Sequence, residues 1–215
     1  MAKRNKKALP FFLGNISGKL GNHVYSSWRG KPYVRSVPKK STRPPTQVQI
    51  EQRARFGLVS RCLHPARSLI TIGFSERNPH MTELNCAMSY ALKNAVAGSY
   101  PDYYIDFSKL LLTHDRLRPP LKTSAAIAGQ ESILFTWDDF PQYQNSCNEV
   151  LLIALCQDPA ACIYTMGDTL RRDGFGILKV TGLTGKKVHT YLSFYNDNRS
   201  MMSDSIYTGE FLLPG

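Results

Sequence analysis

The first 50 residues contain no aspartate or glutamate, and Glu51 is the only acid among the first 72. The same 72 residues hold fifteen Lys and Arg, a formal charge of +14, whereas residues 73–215 hold twelve bases and fifteen acids, or −3. A block of one charge sign repels itself, and binding to a polyanion or to an acidic protein would relieve that repulsion. The alternative is a well-solvated basic surface without a partner.

Long apolar runs and paired cysteines are also missing. No window approaches the ~20 apolar residues that a membrane-spanning helix needs, so no transmembrane segment is expected. The five cysteines form no C-x-x-C pair, and an odd number cannot close completely into internal bridges. Reduced, mostly buried thiols in a cytosolic protein are the simplest interpretation.

Motifs for nucleotide hydrolysis and acyl transfer are incomplete or absent. The segment from Gly14 to Lys19 approaches a phosphate-binding loop, but only three residues separate Gly14 from Gly18, and Leu20 stands where Ser or Thr would hold magnesium. A Gly-x-Ser-x-Gly nucleophile elbow is missing. We therefore expect no catalytic residues and no cofactor.

Metal-ligand patterns are equally weak. The five histidines are scattered singly. Cys62 and His64 are two residues apart, and side chains at that spacing on a helix point in different directions, so they make a poor ligand pair. Asp138, Asp139 and the acids between residues 197 and 204 fall at predicted turns, where Asp normally stabilises the turn itself. A calcium or sugar site would use the same acids and stays an alternative, but we expect no metal.

The N-terminus imitates the start of a secretory signal, because basic residues precede an apolar stretch at residues 8–13. Pro10 interrupts that stretch and Gly14 ends it, short of the usual ~7 to 15 residue core. The prediction is a cytoplasmic protein or one inside a virion-like assembly, with export as the alternative.

Residues 1–45 are predicted to form a basic arm and a β-hairpin. Val24 and Trp28 precede, and Tyr33 and Val37 follow, a Gly and Pro turn. Such β-branched and aromatic residues around a turn are typical of a hairpin. We expect Trp28 and Tyr33 to be its core, with only the charges exposed.

Residues 46–118 are predicted to be helical with a trailing strand. Thr46 and Gln49 have the spacing of a capping box, and apolar residues then recur every four positions in a buried stripe: Ile50, Ala54, Leu58 and Cys62. Gly57 within that helix suggests close packing. Two further helices are predicted at residues 65–72 and 82–97, the latter burying Leu84, Met88, Ala91, Leu92 and Ala95.

Residues 121–215 are predicted to form an antiparallel Ig-like or fibronectin-III-like β-sandwich, so the chain as a whole is α+β. Pro119-Pro120 is the expected boundary, since neither a helix nor a central strand passes it easily. Apolar runs separated by turn residues follow at 132–137, 149–156, 176–180, 188–195 and 203–211. The run at 150–155 is apolar on both faces and should be central, whereas 188–195 alternates as if one face met water.

Several segments resemble a family of the phylum Bacteroidota that is a domain of unknown function. The resemblance is carried by Ser17-Gly18-Lys19-Leu20-Gly21-Asn22, the run from Ser26 to Ser36, Gln52-Arg53-Ala54-Arg55-Phe56, Gly98-Ser99-Tyr100-Pro101-Asp102-Tyr103 and the run from Ser203 to Gly209. It implies no activity and no catalytic residues. A looser analogy links the basic Trp-Arg-Gly strip to phage-derived virion or packaging components.

The predicted function is a non-enzymatic structural or assembly protein, in which residues 1–72 anchor to nucleic acid or to an acidic protein surface and the sandwich makes protein contacts in a homo- or hetero-oligomeric assembly. Nonspecific phosphate binding fits a basic strip better than base readout, because no recognised nucleic-acid-binding motif accompanies it. The alternative is an exported Ig-like module that recognises carbohydrate or protein at the cell surface. The candidate polyanion-binding residues are Lys3, Arg4, Lys6, Lys7, Lys19, Arg29, Lys31, Arg35, Lys39, Lys40, Arg43, Arg53 and Arg55.

Overall fold

The computed structural model describes residues 17–28, 31–39, 42–74, 81–143, 147–196, 198 and 201–215. The chain divides into two compact units, Met1–Thr46 and Gln47–Gly215, here called the N-terminal unit and the body. The N-terminal unit contains eleven of the 27 bases and none of the 16 acids, so the body holds sixteen bases and sixteen acids. The whole formal charge of +11 therefore belongs to the N-terminal unit.

The N-terminal unit contains a three-stranded antiparallel sheet in the order β1-β2-β3. The strands are β1 (Gly18–Leu20), β2 (His23–Trp28) and β3 (Lys31–Ser36). The hairpin predicted from sequence is β2 with β3 and is confirmed. The additional strand β1 was not predicted; it turns into β2 at Gly21, whose φ of 58° lies in the left-handed region that glycine enters without strain.

The body begins with helices and two very short strands. The elements are α1 (Gln47–Leu63), a 3-10 turn (His64–Ala66), α2 (Arg67–Gly73), α3 (Glu83–Asn94), β4 (Val96–Ala97), β5 (Tyr104–Ile105) and a 3-10 turn (Phe107–Lys109). The side chain of Thr82 accepts a hydrogen bond from the Asn85 N–H at 3.2 Å and so caps α3. The third helix ends earlier than predicted, because Val96 and Ala97 pair with β5. Within the described residues, no helix is long and apolar enough to cross a bilayer.

The buried side of α1 differs from the predicted stripe. Val59, Cys62 and Leu63 are buried, whereas Ile50, Ala54 and Leu58 are only half-buried. The helix meets the core through its C-terminal half, so burial is concentrated there. The prediction for α3 was closer: Met88, Ala91 and Ala95 are buried, and Leu84 and Leu92 pack against them.

Seven strands then form two antiparallel sheets. They are β6 (Lys122–Gly129), β7 (Ser132–Asp138), β8 (Glu149–Gln157), β9 (Ala160–Leu170), β10 (Phe175–Lys179), β11 (Lys187–Tyr195) and β12 (Ile206–Leu212). One sheet has the order β10-β7-β6 and the other β12-β11-β8-β9. Of these, β6 and β9 were not predicted; both are edge strands.

The two sheets pack face to face and form an antiparallel β-sandwich, as predicted. Their shared core includes Phe135 and Trp137 from β7, Val150 and Leu152 from β8, and Phe194 from β11. A division of seven strands into sheets of four and three is also found in constant-type immunoglobulin domains, and fibronectin type III domains share this architecture.

The second face of the four-stranded sheet is buried too, because the helices cover it. Leu151, Ile153 and Leu155 of β8 and Tyr191 and Tyr195 of β11 share one hydrophobic cluster with α1, α2 and α3. The prediction that β8 is central is confirmed. The prediction that β11 has one face in water is wrong, since every residue from Val188 to Tyr195 is buried.

Several polar side chains buried in this middle sheet and beside it form hydrogen bonds, as burial favours. The Thr113 hydroxyl donates to Ser203 O at 2.9 Å and contacts Ser193 Oγ at 3.0 Å. Ser205 Oγ accepts from the Leu112 N–H at 2.9 Å. These bonds attach the segment that follows the helices to β11 and to the approach of β12. The predicted boundary at Pro119-Pro120 thus falls inside one compact unit whose helices and sheet share a core.

A buried arginine closes one end of the sandwich. Arg171 forms an ion pair with Asp139, and its guanidinium lies 3.9 Å from the ring centre of Tyr143 and 4.3 Å from that of Phe194. Trp137 Nε1 donates to Arg171 O at 2.7 Å. Asp139, a candidate for a calcium or sugar site, is therefore occupied by an internal partner.

The interpretation of Gly57 as a close-packing position is wrong, and this yields a test. An added Cβ at Gly57 would meet no atom within 4 Å, so Gly57→Ala should raise the free energy of unfolding by about 0.5–1 kcal/mol. At Gly73 an added Cβ would lie 2.6 Å from Thr113 Cγ2 and 2.9 Å from Leu112 O. Gly73→Ala should therefore lower the free energy of unfolding by about 1–3 kcal/mol. Urea denaturation of both variants measures this, and effects of equal sign would contradict the packing.

A second test concerns the shared core. A fragment of residues 47–215 should unfold in one cooperative transition. A fragment of residues 121–215 should lack fixed tertiary structure, because the helix-covered face of β8 and β11 would meet water. Near-ultraviolet circular dichroism and urea denaturation distinguish the two. A fragment of residues 121–215 that unfolds as cooperatively as the longer one would show that the sandwich is independent of the helices.

Candidate polyanion-binding surface

The strand register of the N-terminal unit determines which side chains share a face. Directly opposite residues in antiparallel strands project to the same side of the sheet. Lys19 lies opposite Val24, which lies opposite Arg35. Further along, Ser26 lies opposite Tyr33 and Trp28 opposite Lys31.

Side chains alternate between the two faces along each strand, so these three sets of paired residues lie on one face of the sheet. That face carries Lys19, Trp28, Lys31, Tyr33 and Arg35, and these five residues are called the basic-aromatic face from here on. Leu20, Tyr25 and Val34 belong to the opposite face, where Tyr25 lies opposite Val34. The sheet thus separates cations with two aromatic rings from a more apolar side, on which Tyr25 and Val34 are half-buried.

Both aromatic rings of the basic-aromatic face meet solvent. Trp28 exposes 49% and Tyr33 43% of its surface. The prediction that they form the hairpin core is wrong. The register places both rings on the same face as the cations, whereas Tyr25 and Val34 lie on the other face of the sheet. Lys19, Lys31 and Arg35 are exposed as well.

The electrostatic environment of this face contains no side-chain carboxylate of its own unit, since residues 1–46 have no acid. Solvent ions screen these cations over ~8 Å at physiological ionic strength. A ligand with several negative charges can replace those ions and gain entropy from their release. Such a face suits a multivalent anion better than a single carboxylate.

The structure describes seven of the thirteen predicted polyanion-binding residues. Lys19, Lys31 and Arg35 are brought together on the basic-aromatic face, and exposed Lys39 and Arg43 follow β3 in the chain. Arg53 is exposed on α1 of the body. The other six lie outside the described residues: Lys3, Arg4, Lys6, Lys7, Arg29 and Lys40.

Arg55 has a structural role in the body. It is half-buried, and its Nη2 donates to Leu92 O at 3.0 Å. Its guanidinium also lies 5.8 Å from the ring centre of Tyr103. Because these contacts join α1 to α3 and to the segment after it, we do not include Arg55 in the binding surface.

The described end of the incomplete phosphate-loop motif is part of a β-strand. Gly18, Lys19 and Leu20 are paired in β1, and the chain continues into β2 instead of a helix. A nucleotide-binding loop requires backbone N–H groups that cradle phosphates ahead of a helix. Lys19 is instead one cation of a sheet face.

His114, Cys62 and Cys162 of the body take part in packing. His114 Nδ1 lies 2.6 Å from Asp204 Oδ1, and the ring contacts Phe74 and Tyr90. Burial raises the pKa of Cys62 and of Cys162 to about 12, so both thiols stay protonated and unreactive at neutral pH. Within the described ranges, no three His, Cys, Asp or Glu side chains are arranged to hold a metal ion.

Two depressions in the body contain neither histidine nor cysteine. One, of about 510 Å³, is lined by Asp168, Thr169, Asp173, Phe175, Gly176 and Ile177. The other, of about 320 Å³, is lined by Lys122, Thr123, Ser124, Thr136, Trp137, Asp138 and Gly174. The basic-aromatic face remains the strongest candidate for a functional site.

The fold and the comparisons with known proteins define the class. The body is a helix-covered antiparallel β-sandwich of the Ig and fibronectin-III type, preceded by a small three-stranded sheet. The chain belongs to a family of unknown function (DUF6266), whose model matches residues 15–209. Membership of a domain-of-unknown-function family is thus confirmed, whereas its assignment to a phylum stays a prediction.

Comparison with solved structures gives a distant similarity. A crystal structure of the FN1–FN3 domains of chicken CNTN1 matches with 10% identity and a TM-score of 0.37, over 48% of this chain and 34% of that chain. No curated protein matches the sequence.

The environment of His189 yields a pH test. Its ring is stacked on Phe107 with centres 3.5 Å apart, and burial lowers its pKa below the ordinary 6.5, an effect that nearby Glu210 only partly offsets. The folded state therefore favours neutral His189, and its stabilising contribution is present above pH 6.5 and is lost as the pH falls below it. His189→Gln should reduce the loss of unfolding free energy between pH 7 and about pH 5.5. Urea denaturation at several pH values measures this, and identical pH profiles for both proteins would contradict it.

Proposed function

We propose that this is a non-enzymatic structural or assembly protein that anchors itself to a polyanion, either nucleic acid or an acidic partner subunit, through its N-terminal unit. The observation that supports this most strongly is the shared orientation of Lys19, Lys31 and Arg35 on one sheet face, within a unit that lacks acids. The neutral body would present surfaces for protein contacts.

Exposed cations contribute appreciably to affinity only when several of them bind the same ligand. A single exposed ion pair contributes ~0 to 1 kcal/mol and is screened by salt. Several cations on one face act together on a chain of phosphates or carboxylates, because each contact releases a condensed counterion. Lys39 and Arg43, which follow β3 in the same unit, would add to this effect.

The body offers a surface that suits protein contacts. On the outer face of the three-stranded sheet, Phe175 and Ile177 expose 57% and 53% of their surfaces, and half-buried Leu134 lies opposite Ile177. Exposed apolar groups that adjoin on one face are characteristic of protein-interaction surfaces. A homo- or hetero-oligomeric assembly through this face stays a prediction.

Charge removal from the basic-aromatic face tests the anchor. Lys19→Gln, Lys31→Gln and Arg35→Gln would be combined, with Lys122→Gln, Lys179→Gln and Lys186→Gln in the body as the matched control. The slope of log affinity against log salt should become shallower by about 2 to 3 for the face variant, since each phosphate contact contributes ~0.7 to 0.9. Fluorescence anisotropy with labelled oligonucleotides and with polyglutamate measures the slope.

The control variant should keep the slope of the unmodified protein. Equal losses in the two variants would show that only total charge matters and would contradict an anchor at this face. An affinity without salt dependence would contradict the electrostatic mechanism as a whole.

A further inference from the structure

The two aromatic residues on the basic-aromatic face are not needed to bind a polyanion in general. Trp28 and Tyr33 are half exposed although the opposite face of the same small sheet offers the apolar side chains of Leu20, Tyr25 and Val34. Proteins that bind single strands combine exposed aromatic rings, on which the bases stack, with cations that bind the phosphate backbone.

We propose that the basic-aromatic face binds single-stranded nucleic acid, with bases stacked on Trp28 and Tyr33 and phosphates held by Lys19, Lys31 and Arg35. This inference rests on the proposed anchoring function and specifies its ligand. The recognition would be independent of sequence, because every base has a flat face and every nucleotide has a phosphate.

The order of side chains along β3 fits a chain of alternating phosphates and bases. Lys31, Tyr33 and Arg35 occupy every second position, so a ring lies between two cations at intervals of ~6.6 Å along the strand. Trp28 lies directly opposite Lys31 and is therefore the diagonal neighbour of Tyr33, at ~7 to 8 Å. Ser26, the residue paired with Tyr33, is small.

That spacing favours a single strand over a duplex. Successive bases in a duplex are ~3.4 Å apart along each strand and stacked on one another, so their flat faces are hidden. Two rings ~7 Å apart can each accept a base only from a strand whose bases are already splayed. Duplex binding would use the three cations alone.

An acidic protein is a weaker candidate for the same reason. Carboxylates would pair with Lys19, Lys31 and Arg35, but their negative charge disfavours stacking on the electron-rich faces of Trp28 and Tyr33. Arginine could stack there, yet a basic side chain would be repelled by the neighbouring cations.

Binding should be measured with the full chain, using labelled oligothymidylate and oligouridylate, a hairpin duplex and polyglutamate. Trp28→Leu with Tyr33→Leu removes both rings, and Trp28→Phe with Tyr33→Phe keeps flat rings. Tyr100→Leu with Tyr104→Leu is the control, since both residues are exposed aromatics of the body. The leucine pair should weaken single-strand binding at least about tenfold while it changes duplex affinity less than about twofold. The phenylalanine pair and the control pair should bind single strands within about threefold of the unmodified protein.

The unmodified protein provides a measurement that needs no substitution. Trp28 and Trp137 are its two tryptophans, and Trp137 is 5% exposed. An oligonucleotide that stacks on Trp28 should quench the accessible fluorescence, and Trp28→Phe should abolish the quenching.

The outcomes separate this inference from the proposed function. If single-strand binding needs the three cations but survives the leucine pair, or if no quenching occurs, the stacking inference is overturned and the anchor stands. Equal losses for single strand and duplex, or preferential binding to polyglutamate, would also overturn it. If the cation variant binds every probe as well as the unmodified protein does, the proposed function fails as well. Oligothymidylate and oligouridylate show whether the strand is DNA, RNA or either.

Discussion

The middle sheet β12-β11-β8-β9 is covered on both faces, and this double burial constrains the rest of the body. One face packs against the three-stranded sheet through residues such as Val150 and Phe194, and the other packs against the helices through Leu151 and Tyr191. Removing either cover would expose a continuous apolar surface to water. The polar residues of β11 must then be hydrogen-bonded internally, which explains the bonds of Ser193 and Thr190 to Ser203 and Gly209.

Charge is distributed between the two units in a way that separates the stability of the body from the proposed binding by the N-terminal unit. The body has as many bases as acids, so net repulsion does not oppose its folding, whereas the N-terminal unit carries the full formal charge of the protein. Substitutions on the basic-aromatic face can therefore change ligand binding while the core of the body stays intact. This arrangement suits a protein whose body is carried to, or held at, a polyanion.

The sequence identified those features that have a local signature. The unbroken apolar run of β8 predicted a doubly buried strand, and Thr82 lies at the start of α3, where it serves as the cap. Edge strands β6 and β9 were missed, because Ala-rich and Gly-containing segments with half-exposed residues have no clear alternation. The double burial of β11 could not be predicted, since its polar residues are hydrogen-bonded to residues far away in sequence.

For the candidate site, too, some features were predictable from the sequence and others depended on the tertiary structure. The basic character of the N-terminal region and the hairpin came from composition and turn residues, and the alternation of Lys31, Tyr33 and Arg35 along β3 was visible in the sequence. That Lys19 and Trp28 share their face depends on the register of β1 and β2, and β1 was not predicted. The contacts of Arg55 with Leu92 and Tyr103 likewise required the tertiary structure.

The central claim is that one particular face of the N-terminal sheet contacts the bases of a single strand. Nuclear magnetic resonance of the aromatic side chains during titration with a short oligonucleotide tests it most directly, because Tyr25 and Tyr33 lie on opposite faces of the same hairpin. The account predicts upfield shifts for the ring protons of Tyr33 and the indole of Trp28, with Tyr25 unchanged. Shifts at Tyr25 in place of Tyr33, or none at either residue in a saturated complex, would contradict it.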